Sequence, residues 1–362
     1  MISPSPLGGR RRTHLVAAAL YLAVASFALR AALVEPGEVL PYAAELDRYE
    51  VPFNEHNDYR FATTEIQDQQ FVVSVFTQHA RSLWKAPWSL FDLPQCYPLQ
   101  RSLTLGEHML GTGLLAAVPY ALTGDPILTY DAIAILALWL PAMAMYALVF
   151  HWTGSGMAAF VSGFLFAFHP DRVFYPSHPF VHGNQWTPLA LLFADRLFSR
   201  RSWWDACGLA LFLGLQILES PYQLIPLVIV GGFYGAYLLV RYRSELCEVA
   251  PKLAAVGAVV VAVSGAVFGP YLAARATWPG LLRTQDASFP LSLLDPGELG
   301  LGGGAYAGSV ALVLALLGLV DRFVRHRRDR GYDPRLVFLI GGSVVAWCIV
   351  SAIRIPLLDV SV

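Results

Sequence analysis

The sequence predicts an all-α protein, a polytopic transmembrane helical bundle with a large first extracytoplasmic loop that carries amphipathic juxtamembrane helices. Only 14% of the 362 residues are charged and 56% are hydrophobic, whereas soluble domains have about 25% charged residues. The mean hydropathy of +0.51 agrees with a membrane protein. The formal net charge of -1 argues against a nucleic-acid-binding protein, which would need a basic face.

The N-terminal segment is the first predicted span. Three arginines at 10–12 precede an apolar run at 15–33, which has the length of a transmembrane helix. A basic flank before an apolar run also resembles a signal peptide, but no clear small-residue cleavage site precedes Glu35. We therefore predict a retained anchor at 1–34 with its N-terminus in the cytoplasm.

The arginine clusters set the predicted topology. Further apolar segments occupy 109–122, 127–150, 154–169, 185–199, 205–218, 222–240, 253–272, 305–321 and 335–353. If all of them crossed the membrane, the arginines near 196–201, 241–243 and 322–330 would lie outside, against the positive-inside rule. Segment 109–122 is too short for a bilayer core of about 30 Å, and it contains Pro119. We predict that it is a re-entrant helix and that nine spans remain.

This topology divides the chain into an anchor at 1–34, an extracytoplasmic loop at 35–126 and a bundle of about eight spans at 127–362. Residues 35–108 contain eleven Asp and Glu against five Lys and Arg. Such an acidic segment at the boundary of water and lipid suits an enzyme that acts on a lipid-linked substrate. The sequence stops at Val362, just after a predicted span, and we expect it to be a fragment truncated at its C-terminus.

Asp68 is the predicted catalytic residue. Thr64 and Gln67 fit a capping box that opens an amphipathic helix at about 65–84. Its apolar arc contains Val72, Val75, Phe76 and Leu83, with Asp68 and His79 in the middle. We expect the helix to lie along the membrane surface, where a carboxylate in the apolar arc is costly without a task or a partner. The alternative is that Asp68 only complements the helix dipole.

Two further groups of polar residues are predicted to bind substrate. Glu107 and His108 stand where the loop meets the re-entrant helix, and they either orient a phosphate or hydroxyl or merely cap the helix. A second group lies between two predicted spans: Arg172, His178, His182 and Gln185. Arginine suits a bidentate phosphate contact, so we favour contact with a phosphate or with sugar hydroxyls, with interfacial anchoring as the alternative.

Metal binding is not favoured for this histidine group, because its spacings are irregular and prolines separate the histidines. The four cysteines are scattered without a Cys-x-x-Cys pair, so no structural zinc is predicted. We expect no cofactor, and a divalent cation is not favoured. Glu219 ends one predicted span, and we favour a solvated side chain there.

The chain resembles bacterial polytopic membrane glycosyltransferases of the GT-C superfamily, in an uncharacterised branch. The similarity covers residues from Asp68 to about Asp321 and is clearest in "DQQFVVSVFTQHARSLWKAPWSLFDLPQCYP", "LGEHMLG", "VPYALTGDP" and "GSVALVLALLGLVDR". The first acidic position departs from that family's paired acids, because Asp68 is followed by Gln69.

This resemblance implies transfer of a sugar from a polyprenyl-phosphate donor to an extracytoplasmic acceptor by a multi-pass protein of the inner (plasma) membrane. It gives Asp68 the position of the catalytic acid residue, while Glu107, His108, His178 and His182 line the site. Two alternatives stay open. The first is a transporter or flippase of lipid-linked intermediates, and the second is a truncated membrane protein without catalytic activity.

Overall fold

The protein is all-helical in the part of the chain that the structure describes. The computed structural model describes residues 6–38, 40, 58–169, 172–173, 179 and 182–277, and these residues form helices and turns without a β-strand. The all-α prediction is therefore confirmed for these residues. The predicted spans at 305–321 and 335–353, the last arginine cluster and His178 lie outside them.

Ten α-helices follow one another along the described chain. They are α1 (Pro6–Ala28), α2 (Arg30–Val34), α3 (Asp58–Lys85), α4 (Leu110–Thr123), α5 (Pro126–Thr153), α6 (Gly156–Ala167), α7 (Trp186–Arg200), α8 (Trp203–Glu219), α9 (Pro221–Arg241) and α10 (Leu246–Thr277). Short 3-10 helices at Pro87–Ser89, Pro94–Cys96 and Ser102–Leu105 connect α3 to α4, and another at Arg243–Glu245 precedes α10.

Three segments among the described residues are long and apolar enough to cross a membrane: Pro126–Thr153, Gln223–Arg241 and Arg243–Thr277. Their length and composition indicate a membrane protein. The helix α4 has 14 residues, as the re-entrant prediction requires. The helix α6 has only 12 residues, so it is about 18 Å long at 1.5 Å per residue. The number of spans and the orientation of the bundle stay predictions.

The apolar arc of α3 packs against protein. Val72, Val75 and Phe76 are buried in a core cluster that includes Tyr130 and Ile133 of α5. The rings of Phe76 and Tyr130 stack with their centroids 6.1 Å apart. The arc was predicted correctly, but it packs against the bundle and not along the membrane surface, because buried apolar residues of α4 and α5 cover it.

The predicted capping box of α3 is wrong. The helix begins at Asp58, so Thr64 lies inside it. Asp68 consequently sits in the third turn, whereas the field of a helix terminus acts mainly on the first turn. The alternative role of Asp68 as a partner of the helix dipole therefore loses its geometric basis.

Local sequence explains how α4 ends and α5 begins. Gly124 adopts a positive φ of 69° and terminates α4, a conformation that costs glycine little. Asp125 then caps α5, because its carboxylate accepts hydrogen bonds from the backbone amides of Ile127 and Leu128 at 2.8 and 3.0 Å. Pro126 occupies the first turn of α5, where its missing amide hydrogen costs nothing.

A first prediction concerns the contact of α3 with α5. Phe76→Ala should lower the free energy of unfolding by about 3–5 kcal/mol, because it removes a buried ring and leaves a cavity. Thermal unfolding of the purified protein in detergent measures the change. Trp84→Ala is the matched control, since Trp84 lies on the same helix with its side chain 73% exposed. Equal losses of stability in the two variants would contradict the packing described for α3.

Candidate functional site

The centre of the candidate site is the buried carboxylate of Glu219, the last residue of α8. Its side chain is 0% exposed. The hydroxyl of Thr112 donates to Oε2 at 2.7 Å. The amide of Gln185 and the indole N–H of Trp186 donate to Oε1 at 2.5 and 2.8 Å. The carboxylate therefore ties α8 to α4 and to the start of α7, and the prediction that Glu219 is solvated is wrong.

Two glycines in the first turn of α4 make room for ionisable side chains. A Cβ atom on Gly111 would lie 2.7 Å from Cδ of Glu219, and one on Gly113 would lie 2.6 Å from Cβ of His79. Any larger residue would push one of these side chains away. The sequence Gly111-Thr112-Gly113 thus lets α4 approach α8 on one side and α3 on the other.

Burial raises the pKa of Glu219 to about 7, and hydrogen bonds from Thr112, Trp186 and Gln185 oppose the rise. Glu219 follows the apolar run at 205–218, so it stands at the end of that run. A carboxyl group with a pKa near neutrality can both release and accept a proton under working conditions. Strongly shifted pKa values of this kind are typical of functional sites.

Two buried histidines lie beside α4. Burial lowers the pKa values of His79 and His108 to about 4, so both imidazoles are neutral at pH 7. Nε2 of His79 lies 3.2 Å from the carbonyl oxygen of Leu90. The ring of His108 contacts the rings of Phe268 and Tyr271 edge-on, with centroids 6.2 Å away in both cases. His108 therefore offers a neutral ring and brings no positive charge to a phosphate.

Glu107 forms the partly exposed edge of this group. The hydroxyl of Ser220 donates to its Oε2 atom at 2.7 Å. The hydroxyl of Tyr271 on α10 donates to the carbonyl oxygen of the preceding residue, Gly106, at 2.9 Å. Because Ser220 follows Glu219 directly, one dipeptide binds both the buried network and the outer carboxylate. We name the whole group the Glu219 cluster: His79, Glu107, His108, Thr112, Gln185, Trp186, Glu219 and Ser220.

A second layer of hydrogen bonds fixes the start of α7. The side-chain amide of Gln216 donates to the carbonyl oxygen of Gly183 at 2.6 Å, and its oxygen accepts from the hydroxyl of Thr187 at 3.0 Å. Gln216 is 0% exposed and lies one turn before Glu219 on α8. The two residues together hold the chain that leads into α7, so Gln185 is presented to Glu219 in a fixed orientation.

The sequence predicted three members of the cluster, Glu107, His108 and Gln185, and the structure brings them together. The sequence analysis missed the central role of Glu219 and the hydrogen bond from Thr112. One signal was available: Glu219 interrupts two apolar runs and is followed by Ser220 and Pro221, which is an expensive place for an acid unless donors surround it.

Arg172 lies apart from the cluster and connects α5 to the chain before α7 by two hydrogen bonds, which we name the Arg172 clasp. Its Nη2 atom donates to Oδ1 of Asn184 at 2.8 Å, and Nη1 donates to the carbonyl oxygen of Ala137 at 3.3 Å. That carbonyl is available because Pro141, four residues later in α5, has no amide hydrogen. Arg172 and His182 line a cavity of about 10 Å³, which holds at most one water molecule. A phosphate would bind there only after the clasp had opened, so phosphate binding by this loop stays a prediction.

Asp68 is also distant from the centre of the cluster along its own helix. It is partly exposed and precedes His79 by eleven residues, which corresponds to about 16 Å along the helix axis. Its catalytic role stays a prediction. Within the described residues, no three His, Cys, Asp or Glu side chains come together in a way that could hold a metal ion, and metal independence likewise stays a prediction.

A comparison with protein-family models, with curated proteins and with solved structures finds no match to this chain. The function must therefore be argued from the site itself.

A second prediction tests the buried carboxyl through the pH dependence of stability. The folded-state pKa of Glu219, about 7, lies above that of an unfolded Glu, so this group lowers the stability as the pH rises from about 4.5 through 7. His79 and His108 act in the opposite direction between about 6.5 and 4, because their folded-state pKa values are lowered. Only Glu219 among these three still titrates above pH 6.5.

Glu219→Gln should therefore abolish the loss of stability that the wild type shows between pH 6.5 and 8. Its carboxamide oxygen can still accept from Gln185 and Trp186, so only Thr112 loses an acceptor oxygen. Melting temperatures of both proteins across this pH range measure the effect. Glu248→Gln is the control, since that carboxylate is exposed. Parallel pH profiles for wild type and Glu219→Gln would show that Glu219 is not the titrating group.

Proposed function

We propose that this protein is a membrane glycosyltransferase that moves a sugar from a polyprenyl-phosphate donor to an extracytoplasmic acceptor. The observation that carries the proposal is the position of the Glu219 cluster at the end of an apolar slot between helices. A lipid-linked sugar needs both features: a hydrocarbon channel for its chain, and a polar site with a carboxylate where the chain meets the sugar phosphate.

The slot has a volume of about 450 Å³ and is lined almost entirely by apolar side chains of α7, α8, α9 and α10. Its lining includes Ile217 and Leu224 near Glu219 and reaches Leu239 and Leu253 at the other end. Leu239 follows Leu224 by fifteen positions, which corresponds to about 22 Å along the helix axis. Its volume falls in the range of small-molecule pockets, about 300–1,000 Å³.

The chemistry asks for a base that takes the proton of the acceptor hydroxyl while the sugar leaves its phosphate. Within the Glu219 cluster, Glu107 is the carboxylate with access to solvent, and Ser220 orients it. Glu219 lies behind it and can exchange a proton near neutral pH. Asp68 is the base that the sequence predicts, and Arg172 is the predicted partner of the departing phosphate. Glu107 and Asp68 are therefore the two candidates for the base, and an experiment can distinguish them.

The proposed site faces the extracytoplasmic side of the inner (plasma) membrane. The N-terminus and the arginines at the turn between α7 and α8 lie on the cytoplasmic side, as the positive-inside rule requires. Trp203 and Trp204 stand beside Arg200 and Arg201 at that turn, and all four side chains are exposed. Exposed tryptophans next to arginines are typical of a membrane–water interface, which supports placing this turn at one surface of the bilayer and the Glu219 cluster towards the other.

One observation favours the second candidate, a transporter or flippase of lipid-linked intermediates. Asp131 lies inside the apolar helix α5 and is buried. Its Oδ2 atom accepts a hydrogen bond from the backbone amide of Gly37 at 3.2 Å, and its Oδ1 atom has no hydrogen-bond partner among the residues that the structure describes. Acidic side chains inside membrane helices are expensive and often mark transport pathways.

A third prediction tests the transferase. Purified protein in liposomes should transfer radiolabelled sugar from at least one of decaprenyl-phosphate mannose, glucose or arabinose to an extracted envelope-glycan fraction. Glu107→Gln should lower kcat by about 10² or more, because loss of a general base usually costs that much. Asp68→Asn should have the same effect if Asp68 is the base. The control Glu248→Gln should transfer at the wild-type rate, and EDTA should change turnover little.

The outcomes distinguish the proposals. Loss of transfer in Glu107→Gln alone assigns the base to the cluster, and loss in Asp68→Asn alone assigns it to α3. Movement of the labelled lipid between leaflets without sugar transfer, and its loss in Asp131→Asn, would replace the transferase with the transporter. Complete inhibition by EDTA with rescue by Mn²⁺ or Mg²⁺ would make a divalent cation part of the site.

A further inference from the structure

A rigid lobe of chain stands between α3 and α4, next to the Glu219 cluster. The backbone amide of Leu93 donates to Oγ of Ser102 at 2.9 Å, and the amide of Leu103 donates to the carbonyl oxygen of Phe91 at 3.0 Å. Ser102 and Leu103 are buried. These contacts close the segment 91–103 into a loop whose base is anchored in the core and whose tip, Tyr97 to Arg101, projects outward.

Arg101 holds an unusual backbone conformation at the tip of this lobe. Its φ is 54°, in the left-handed region that non-glycine residues seldom adopt. The carboxylate of Asp92 stabilises the conformation by accepting a hydrogen bond from the amide of Arg101 at 2.6 Å. Strained backbone that the surrounding structure maintains occurs preferentially at ligand-binding sites. The side chains of Gln100 and Arg101 are exposed on this fixed backbone.

The lobe and the last turns of α10 border an open pocket of about 550 Å³, lined by Pro98, Leu99, Gln100, Arg101, Ala274 and Thr277. The lining offers a guanidinium, a carboxamide and a hydroxyl, together with the flat apolar surfaces of proline and leucine. Tyr97 precedes the lining residues directly and is 88% exposed. A sugar ring presents hydroxyls at its edge and C–H groups on its faces, so this combination of planar polar groups, apolar surface and an exposed aromatic ring suits a saccharide.

Tyr271 links the pocket to the cluster. It lies one turn before Ala274 on α10, and its hydroxyl holds the carbonyl of Gly106. Its ring meets that of Phe91, at the base of the lobe, edge-on at 6.2 Å, and it also contacts His108. A ligand in the pocket therefore lies one helical turn from Tyr271, which holds the backbone directly before Glu107.

We propose that this pocket binds the acceptor of the transfer reaction and that the acceptor is an oligosaccharide. The proposal rests on the proposed function for the word acceptor, while the saccharide site itself rests on the lobe and the pocket. A lipid chain suits the apolar slot between α7 and α10 instead. A phosphate would call for several basic groups, whereas Arg101 is the single charged side chain among the described residues that line the pocket.

The experiment uses the full chain purified in lauryldimethylamine oxide, a detergent without sugars. Saturation-transfer NMR with maltotriose and chitotriose as probes should show transfer to ring protons of at least one trisaccharide. Arg101→Ala and Thr277→Trp should weaken binding about fivefold or more, the change expected for losing one hydrogen bond or for filling the mouth of the pocket. Arg201→Ala is the matched control, because Arg201 is exposed and also has a left-handed backbone, with φ 56°.

Transfer of sugar from the polyprenyl-phosphate donors is measured on the same four proteins. Normal transfer by wild type and Thr277→Trp, without saturation transfer to either trisaccharide, would overturn the acceptor pocket and leave the proposed function standing. Trisaccharide binding that Arg101→Ala and Thr277→Trp abolish, without transfer from any donor, would support the saccharide site and overturn the proposed function. Binding of inorganic phosphate without either trisaccharide, or equal loss of binding in Arg201→Ala, would overturn the saccharide assignment.

Discussion

The buried carboxylate of Glu219 is the constraint on which the described part of the fold depends. Moving a charged carboxylate out of water costs several kcal/mol, and leaving one of its donors or acceptors unpaired costs more. The chain meets that cost with Thr112 on α4 and with Gln185 and Trp186 at the start of α7. Because hydrogen bonds tolerate only a few tenths of an ångström, these contacts fix where α4 and α7 lie along α8.

The same constraint shapes the exposed side of the site. Ser220 follows Glu219 directly and donates a hydrogen bond to Glu107. The buried network that fixes Glu219 therefore also fixes the orientation of Glu107. The other end of α8 is built differently: Nε of Arg196 pairs with Oδ1 of Asp205 at 2.7 Å in the first turn, and this charge pair stabilises the arginine-rich turn. The helix α8 thus has an ion pair at its start and, at its end, an acidic residue that neutral donors bind. That difference follows from the donors, since Thr112, Gln185 and Trp186 are all neutral.

The sequence predicted those features of the fold that depend on residues close together in the chain. The apolar arc of α3 and the short length of α4 are local patterns, and both were predicted correctly. The start of α3 was not, because the Thr64–Gln67 capping pattern cannot show that helix geometry continues back to Asp58. The burial of Glu219 was also missed, since it depends on Gly111, 108 positions away in the chain, and no periodicity links two residues so distant. His79 was noted on the apolar arc, but only tertiary packing shows that it faces Gly113.

The electrostatic character of the cluster follows from this packing. His79 and His108 are neutral because burial disfavours their charged forms more than their carbonyl neighbours favour them. Burial likewise raises the pKa of Glu219 to about 7. A site with neutral imidazoles and a carboxyl of this kind handles protons at low energetic cost but supplies little positive charge. In the proposed transferase, the charge that balances the leaving phosphate would therefore come from an arginine outside the cluster. Arg172 is the predicted one, and it would first have to release the carbonyl of Ala137. In the proposed transferase, proton transfer by Glu107 or Asp68 would thus take place apart from phosphate binding by Arg172.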